Sequence, residues 1–328
     1  MADNAADRPL VTFALFAYNQ EKYIREAVEG AFAQTYEPLE IILSDDCSTD
    51  STFAIMEEVV AAYKGPHRII LERNPTNLGR EKFGLRVWSL LQQAKGEFII
   101  LAAGDDISNN ARTEKLFQTW DANYRQAVCV HSFAEVIDEH GSHVGQKIGQ
   151  NQIASIPLDQ FLAKDGRGLL GATSAFSKEL LTSFGPFPDT ILMEDAALAF
   201  PARLLYGILF LPEPLVLYRR HSSNMTNGME LQSEERFEKY IATLSGQHRS
   251  YLVDYMAITM SLDPFILQAI TKRLKEISEM RLLFRGGTIE RLLALWLYAK
   301  RFPIKRKIYL YLIYFGLLES EIILVPPK

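Results

Sequence analysis

The sequence predicts an α/β protein in which a mainly parallel sheet is flanked by helices and followed by an all-helical C-terminal extension. Over the first hundred residues, short apolar runs alternate with stretches of helical periodicity, which is the order expected of β-α-β units. The apolar runs are nearly continuous, as in strands that are covered on both faces. From about residue 230 onward the pattern is helical only. We therefore predict two domains, at residues 1–228 and 229–328.

The first β-α-β unit is predicted at the start of the chain. Residues 11–17 form a short β-rich apolar run, and apolar residues recur at helical spacing over residues 21–34. Residues 39–44 form the second strand. The segment Ser48-Thr49-Asp50 supplies helix-capping residues, so the next helix is expected to run to about residue 63.

The same alternation continues to the fourth strand. Residues 67–72 form the third strand, and the turn Asn77-Leu-Gly79 leads into a helix that ends near residue 94. Residues 98–103, with the sequence FIILAA, form the fourth strand. These four strands account for the predicted parallel sheet.

The pattern changes after residue 125. Residues 127–137 predict a strand that enters a hairpin, with its turn at 138–141. Short helices are expected at about 177–183 and 195–206, and residues 215–218 form the last predicted strand.

Composition excludes several classes of protein. The 328 residues carry a net charge of −5, which does not suit a surface that coats nucleic acid. The chain has two cysteines, Cys47 and Cys129, and no paired motif, so we do not expect a disulfide framework. We see no signal-peptide pattern at the start and no apolar run near the ~20 residues of a spanning helix. The expected location is cytoplasmic.

Acidic pairs follow two of the predicted parallel strands. Asp45-Asp46 ends the second strand and Asp105-Asp106 follows the fourth, while Tyr18 follows the first. Ligands of such sheets bind at the carboxyl ends of the strands, so these residues are expected to meet in one crevice. Adjacent carboxylates repel each other, so either they face water in a turn or a cation lies between them.

Seven segments of the chain follow one another in a characteristic order: FAYNQEKYIREAVEGAFAQTY, LEIILSDDCSTDST, NLG, KGEFIILAAGDD, GATSAFSKELLTSFGPF, MEDAALAF and YRRHSSNMT. Together they resemble the inverting family 2 glycosyltransferases of the GT-A fold, the nucleotide-diphospho-sugar transferase fold. The resemblance covers about residues 9–228, and it is their shared order and spacing that make it specific. It implies a catalytic domain of this fold at residues 1–228.

The resemblance implies a divalent metal, Mn²⁺ or Mg²⁺, at the second acidic pair. It places the metal contact on Asp106 and sets Asp105 nearer the ribose or sugar of the donor. The first acid of the family's motif is replaced by Ala103. His221 is the second metal-ligand candidate, although a lone histidine is as often structural. Arg219 or Arg220 would pair with phosphate. A solvated turn that caps a helix is the alternative for the acidic pair.

The resemblance also implies a donor site for a UDP- or dTDP-sugar. Asp46 would accept the imide N–H of the base, a group that uracil and thymine share. The other donor-binding candidates lie at the strand ends and in the turn after the third strand: Phe16, Ala17, Tyr18, Asp45, Arg80 and Asp105. Phe16 could equally be a core residue, and Arg80 a solvated one.

Asp195 is the predicted catalytic base. In inverting transfer the acceptor hydroxyl attacks opposite the leaving diphosphate, and a carboxylate within hydrogen-bond reach takes its proton. Glu194 is expected to position the acceptor, and Thr173 and Ser174 are expected on the acceptor side. Two acids at a helix start also suit the positive end of the helix dipole, which is the structural alternative.

The C-terminal hundred residues carry basic clusters between apolar and aromatic runs. Residues 292–299 and 308–315 are apolar, and Lys300, Arg301 and 305–307 separate them. This pattern fits helices that lie on an anionic membrane. Packing on the catalytic domain or homo-oligomer formation is the alternative.

The sequence therefore predicts a metal-dependent inverting glycosyltransferase. The resemblance implies an acceptor hydroxyl on a cell-surface polysaccharide or lipid-linked glycan. Two alternatives remain open: a sugar-phosphate nucleotidyltransferase, and a non-catalytic sugar-nucleotide-binding domain of a glycan assembly complex. The first usually has a Gly-rich basic loop after its first strand, where this chain has AYNQEKY.

Overall fold

The computed structural model describes most of the α/β part and two helical segments beyond it. The described ranges are 8–79, 83–126, 129–149, 156–163, 169–184, 194–205, 207–224, 242, 244–254 and 264–285. The basic and apolar runs after residue 285 lie outside the described residues, as does the predicted domain boundary at 228. The two-domain division therefore stays a prediction.

The strands include all those that the sequence predicted. They are β1 (Val11–Ala17), β2 (Leu39–Asp45), β3 (Arg68–Arg73), β4 (Phe98–Ala103), β5 (Ile107–Ser108), β6 (Cys129–Ile137), β7 (His143–Ile148), β8 (Ser174–Ser177) and β9 (Ile208–Arg219). The predicted hairpin is formed by β6 and β7.

The helices lie between these strands and after them. They are α1 (Ile24–Phe32), α2 (Thr52–Ala62), α3 (Phe83–Gln93), α4 (Arg112–Ala122), α5 (Leu158–Ala163), α6 (Lys178–Ser183), α7 (Glu194–Leu204) and α8 (Pro264–Arg285). Residues 244–254 are also helical.

Within the described residues the strands form one nine-stranded mixed sheet. Its order is β3-β2-β1-β4-β8-β6-β9-β5, and β7 pairs with β6. Strands β3, β2, β1 and β4 are parallel, as predicted. Strand β8 runs antiparallel between β4 and β6, so the sheet changes direction there.

Three pieces of the sheet were not predicted, and one of them is β5, which has only two residues. Strand β8 is only four residues long, which is too short for a period to show. Strand β9 begins at Ile208, whereas the sequence predicted a strand only at residues 215–218. The prediction missed the first half of the strand because Pro212 and Pro214 interrupt its apolar pattern. The β6–β9 register shifts beside Phe133, which pairs with Pro214, so the strand continues through an irregularity.

Alternate residues of the parallel strands build two core layers. On β1, Ala14 and Phe16 join the layer that includes residues of α3, α5 and α7. Phe13 and Leu15 join the opposite layer, which includes residues of α1, α2 and α4. The sheet is thus covered on both faces, as its continuous apolar strands require.

The described C-terminal helices pack on the α/β part. Tyr251 and Ile270 are fully buried in the first core layer, and the ring of Tyr251 stacks on Phe200 of α7 at 4.4 Å. This packing places part of the predicted helical extension in the core layer that contains α7. Among the described residues, no helix combines the length and apolar character that crossing a membrane requires.

Candidate active site

A cavity of about 310 Å³ lies at the carboxyl ends of β1, β2 and β4. We call it the strand-end cavity. Its polar lining residues are Gln20, Asp46, Asn77, Arg86, Asp105 and Ser223. The carboxyl ends of neighbouring parallel strands share one edge of the sheet, which is why residues so distant in sequence meet here.

The end of β1 forms one wall of the cavity. It is lined by Phe16, Ala17 and Tyr18, three of the residues that the sequence interpretation assigned to the donor. Phe16 is buried, whereas the side chain of Tyr18 is 43% exposed at the rim. Asn19 follows with a φ of 50°, and its side-chain oxygen accepts the backbone N–H of Thr49 over 2.8 Å. The wall is therefore held against the start of α2.

Asp46 lines the cavity with a carboxylate that already has several partners. Its Oδ1 accepts the side-chain amide of Asn74 over 2.7 Å and the backbone N–H of Leu78 over 3.3 Å. Its Oδ2 accepts the side-chain amide of Asn77 over 3.2 Å and lies 3.8 Å from Nη1 of Arg86. The residue therefore orders the loop after β3 and remains at the cavity surface.

Asp45 is not brought to the cavity. Its side chain is fully buried, accepts the backbone N–H of Ser48 over 2.9 Å and contacts the Ser48 hydroxyl. Nε of Arg73 lies 3.3 Å from its Oδ2. Asp45 thus shapes the turn after β2, and its predicted place among the donor-binding residues is not supported by its position.

Arg86 of α3 was missed by the sequence interpretation. It is 5% exposed and lines the cavity, and burial lowers the pKa of its guanidinium. The sequence did contain a signal for this residue. Arg86 lies one helical turn before the buried Leu90, so it is a charged residue on the apolar face of α3. The predicted cation Arg80 lies outside the described residues.

Asp105 faces the cavity together with the segment after β9. Its Oδ2 lies 3.0 Å from Nε2 of His221 and accepts the side-chain amide of Asn224 over 3.3 Å. The ring of His221 packs on Tyr23, with centroids 4.7 Å apart. The two elements come together although 116 positions separate Asp105 from His221.

Asp106 is buried and is not part of the cavity lining. Its Oδ1 accepts the backbone N–H of Arg219 over 2.8 Å, whereas its Oδ2 has no hydrogen-bond partner among the described residues. Burial and the neighbouring charge of Asp105 raise the pKa of Asp106 well above its usual range. The fully buried guanidinium of Arg112 partly offsets the carboxylate, and burial lowers its own pKa to about 9. The structure therefore turns Asp105, rather than Asp106, toward the cavity.

The buried side chain of Arg219 connects the end of β9 with the turn after β4, helix α1 and the β6–β7 turn. Its Nε donates to the carbonyl oxygen of Asp105 over 3.1 Å, and its Nη2 donates to Glu26 of α1 over 2.5 Å. Its Nη1 lies 3.5 Å from the carbonyl oxygens of Asp138 and Glu139 in the β6–β7 turn. These contacts occupy the guanidinium, so they do not support a phosphate-binding role for Arg219. Arg220 is exposed and donates to Gln146.

The predicted acceptor-side residues lie behind the cavity wall. Asp195 is buried at the start of α7, and its Oδ2 accepts the backbone N–H of Gly171 over 3.1 Å. Gly171 and Ala172 line the cavity. The hydroxyls of Thr173 and Ser174 are buried and donate to the carbonyl oxygen of Leu170.

Glu194 begins α7, but its side chain lies outside the described residues. The arrangement therefore places one carboxylate, that of Asp195, directly behind the glycine of this wall.

The metal-binding capacity of the site is limited to small donor sets. Among the residues that the structure describes, no three His, Cys, Asp or Glu side chains are placed to hold an ion together. The carboxylate of Asp105 offers an oxygen at the cavity, and the imidazole of His221 offers a nitrogen 3.0 Å from that carboxylate. These are donors that Mn²⁺ accepts, and Mg²⁺ sites often use one or two carboxylates with substrate phosphates. Oδ2 of Asp106, which has no hydrogen-bond partner among the described residues, is a further oxygen that belongs to the residue following Asp105.

Solved structures share the overall fold. S. aureus TarS in complex with UDP-GlcNAc superposes with a TM-score of 0.58 at 18% identity, covering 87% of this chain and 88% of that one. The Pyrobaculum calidifontis mannosyltransferase PcManGT, in complex with GDP-Man and Mn²⁺, gives a TM-score of 0.56 at 15% identity over 95% and 81% of the two chains. These similarities confirm the predicted GT-A fold.

Sequence comparison agrees with the structural one. The uncharacterized Mycobacterium tuberculosis protein Rv1520 is 31% identical over 208 residues, which is 63% of this chain and 57% of that protein. The chain thus spans about half the length of the first curated relatives that it matches. The model of glycosyl transferase family 2 matches residues 12–184, more than half of the chain. The chain belongs to glycosyl transferase family 2.

Proposed function

We propose that this protein is an inverting glycosyltransferase that moves a sugar from a UDP- or dTDP-sugar to a hydroxyl of a glycan or lipid-linked acceptor. One observation carries the proposal: the strand-end cavity joins Asp46, the Asp105–His221 pair and the Gly171 wall that is backed by Asp195. In this proposal Asp46 binds the base of the donor, and the Asp105–His221 pair lies at its diphosphate. The Gly171 wall faces the acceptor.

A nucleoside diphosphate sugar is the donor class that best suits this cavity. TarS is described in complex with UDP-GlcNAc, and PcManGT in complex with GDP-Man. Tyr18, which is exposed at the rim, and Asp46 both line the cavity, and in this proposal they receive the base. The ring offers a flat apolar surface, and the carboxylate offers an acceptor for a ring N–H.

Asp105 and His221 are the residues we propose for a divalent cation, in place of the predicted pair Asp106 and His221. Asp105 lines the cavity and contacts His221, whereas Asp106 is turned toward the backbone of Arg219. A bound Mn²⁺ or Mg²⁺ would neutralise charge on the departing diphosphate. Asn224 would hold the Asp105 carboxylate in position through its side-chain amide.

Asp195 is the proposed general base. Inverting transfer is a single displacement, and the attacking hydroxyl needs a carboxylate to take its proton. The backbone N–H of Gly171 donates to Oδ2 of Asp195 and so holds the carboxylate in position. Gly171 and Ala172 line the cavity. A glycine at this wall also lets a sugar approach the backbone closely.

A thermal-shift panel of UDP-, dTDP- and GDP-sugars, with and without Mn²⁺, tests the proposal. A ligand that binds only the folded state raises the unfolding midpoint. We expect a shift with UDP- or dTDP-sugars that increases with Mn²⁺. No shift with any nucleotide sugar would contradict the proposal.

The two alternatives predict different products. A nucleotidyltransferase would release pyrophosphate from a nucleoside triphosphate and a sugar phosphate, and we expect none. A non-catalytic binding domain would give a thermal shift without donor turnover. We expect release of the nucleoside diphosphate above background when acceptor glycans are added.

Contact with a membrane is proposed for the segment after residue 285 on its sequence alone. Lys300, Arg301 and residues 305–307 separate two apolar runs, a pattern that suits an anionic surface. Flotation with anionic liposomes should carry the full chain but not a chain that ends near residue 285. Equal flotation of the two would contradict this proposal.

A further inference from the structure

Two side chains at the start of α1 contact the segment at the end of β9. Tyr23 directly precedes α1, and Glu26 lies three residues further along the same face. Glu26 accepts Nη2 of Arg219 over 2.5 Å, and the guanidinium of the same arginine lies 4.9 Å from the centroid of the Tyr23 ring. The ring of Tyr23 also packs on the imidazole of His221, with centroids 4.7 Å apart and planes inclined by 35°. The start of α1 therefore contacts two side chains of this segment.

The geometry of an extended chain explains why Arg219 and His221 both reach α1. Arg219 is the last residue of β9, and side chains two positions apart on an extended chain point to the same side. Arg220 lies between them, is exposed and donates to Gln146 of β7 instead. The three side chains thus alternate in direction, and His221 faces the start of α1.

The imidazole of His221 is held by contacts on more than one side. Its side chain is 6% exposed, its Nε2 lies 3.0 Å from Oδ2 of Asp105, and its ring packs on Tyr23. The backbone N–H of His221 donates to Oδ1 of Asn224 over 2.6 Å, which fixes the main chain at this position. Rotation of the imidazole by half a turn about its Cβ–Cγ bond would put a carbon atom, Cε1, in place of Nε2. The neighbouring ring of Tyr23 restricts that rotation.

We propose that Tyr23 is a positioning residue of the donor site: its ring keeps the imidazole of His221 turned with Nε2 toward Asp105, so that the pair is in place for a divalent cation. The inference rests on the proposed cation site and adds the residue that orients it. Residues that orient a metal ligand without touching the metal typically account for about 10–100-fold in metal affinity. A ligand whose rotamer is locked by packing also needs less ordering when the cation binds.

Calorimetric titration of the full chain with UDP, in Mn²⁺ or in a chelator, tests the inference. Tyr23→Leu removes the ring but keeps an apolar side chain, and it should lower UDP affinity in Mn²⁺ by ~10-fold or more. UDP affinity in the chelator should change by less than ~3-fold, because Tyr23 does not line the cavity and acts on the metal ligand. An equal loss in both conditions, or no loss in either, would overturn the inference.

Tyr23→Phe keeps the ring and removes only the hydroxyl. Its UDP affinity in Mn²⁺ should stay within ~3-fold of that of the unaltered protein, since the contact with His221 is made by the ring. A loss as large as that of Tyr23→Leu would assign the effect to the hydroxyl and overturn the inference.

Failure of the proposed cation site gives a different result from failure of the inference. If Mn²⁺ does not raise the UDP affinity of the unaltered protein, the cation site itself is refuted. If Mn²⁺ does raise it and Tyr23→Leu keeps the whole gain, the inference alone is wrong.

A double-mutant cycle tests whether Tyr23 acts through His221. His221→Gln removes the imidazole, so Tyr23→Leu should cause little further loss of UDP affinity in Mn²⁺ in that background. Residues that act together are not additive. Losses that add in full would show that Tyr23 acts by another route and would overturn the inference.

The contact can also be followed in the metal-free protein by NMR. The Cε1–H signal of His221 is identified by its absence from the spectrum of His221→Gln. An aromatic ring shifts the resonances of protons packed against it, so this signal should move in Tyr23→Leu and stay close to its position in Tyr23→Phe. An unchanged signal in Tyr23→Leu would contradict the inference.

Phe32→Leu is the matched control for loss of a ring from α1. Phe32 is partly buried at the other end of the helix and packs on Tyr63, with centroids 4.3 Å apart. Its UDP affinity in Mn²⁺ should stay within ~3-fold of that of the unaltered protein. A loss equal to that of Tyr23→Leu would show a general effect of weakening α1 and would overturn the inference.

Glu26→Ala separates His221 from Arg219, the other side chain that Tyr23 contacts. It removes the carboxylate that holds Arg219 and leaves the contact between Tyr23 and His221 in place. UDP affinity in Mn²⁺ should again change by less than ~3-fold. A loss equal to that of Tyr23→Leu would show that the effect is transmitted by Arg219, and the inference would then be wrong.

Discussion

The backbone N–H of Arg219 donates to the carboxylate of Asp106 over 2.8 Å, and this bond joins the end of β9 to the turn after β4. The neighbouring Asp105 instead faces the cavity and contacts His221. Two adjacent acids therefore have different environments, and substitutions at the two positions should have different effects.

Asp105→Asn should weaken Mn²⁺ binding by about 10-fold or more, since it removes the charged group of the proposed metal site. The measurement is the Mn²⁺-dependent part of the thermal shift with UDP. Asp106→Asn is the control, because an amide oxygen can still accept the N–H of Arg219. It should reduce Mn²⁺ binding less than Asp105→Asn, and the reverse order would support Asp106 as the metal contact.

Asp195→Asn should lower the rate of sugar transfer by about 10²–10⁴-fold, the usual contribution of a general base. The amide oxygen can still accept the N–H of Gly171, so the wall and the donor affinity should be preserved. Diphosphate release with an acceptor panel measures the rate, and calorimetry with UDP measures binding. Turnover close to that of the unaltered protein would refute the assignment.

Arg219→Met should lower the free energy of unfolding by about 2–4 kcal/mol, because it removes a fully buried side chain and leaves several carbonyl oxygens without their donor. Urea denaturation followed by circular dichroism measures this change. Arg220→Met is the comparison, since Arg220 is exposed and contacts Gln146. A similar small change in the free energy of unfolding of both variants would contradict a stabilising role for the contacts of Arg219.

His131 should make the protein less stable as the pH falls from about 6.5 to about 4. The ring is fully buried on β6 beside Phe210, and neither nitrogen has a hydrogen-bond partner among the described residues. Burial lowers its pKa from 6.5 to about 4. Between these values the unfolded chain binds the proton and the folded chain does not, so stability is retained above pH 6.5 and decreases below it.

The effect of His131 is on the order of 3 kcal/mol at most, from the size of the pKa change. His131→Leu should reduce the loss of stability between pH 7 and pH 4.5, measured by urea denaturation at each pH. A loss equal to that of the unaltered protein would contradict this account.

The parallel half of the sheet was predictable because its strands are short apolar runs separated by clear helical periods. Strand β8 was not, because four residues carry no readable period and its place between β4 and β6 depends on distant pairing. The first half of β9 was missed because its prolines are not typical of a strand. The strand accommodates them through shifts in its pairing register with β6.

The site was predictable as a set of strand ends, but not in the orientation of its side chains. Which of Asp105 and Asp106 faces the cavity depends on the turn after β4 and on the partner that β9 supplies. Asp45 and Asp46 are adjacent and of the same residue type, so the sequence does not distinguish them. In the structure, contacts with Ser48 and Arg73 hold the side chain of Asp45 away from the cavity. Arg86 carried only an indirect signal, an interrupted apolar face.

The 116-residue separation of Asp105 from His221 has a consequence for the order in which the site is made during synthesis. The cavity residues at the ends of β1 and β2, together with Asn77 and Arg86, are encoded before residue 90, whereas His221 and Ser223 leave the ribosome only after more than a hundred further residues. Contacts this distant in sequence are slow to form. A nascent chain would therefore acquire the wall formed by the ends of β1 and β2 early and the wall that includes Asp105 and Ser223 late, so a stalled or truncated product would be expected to lack part of the cavity.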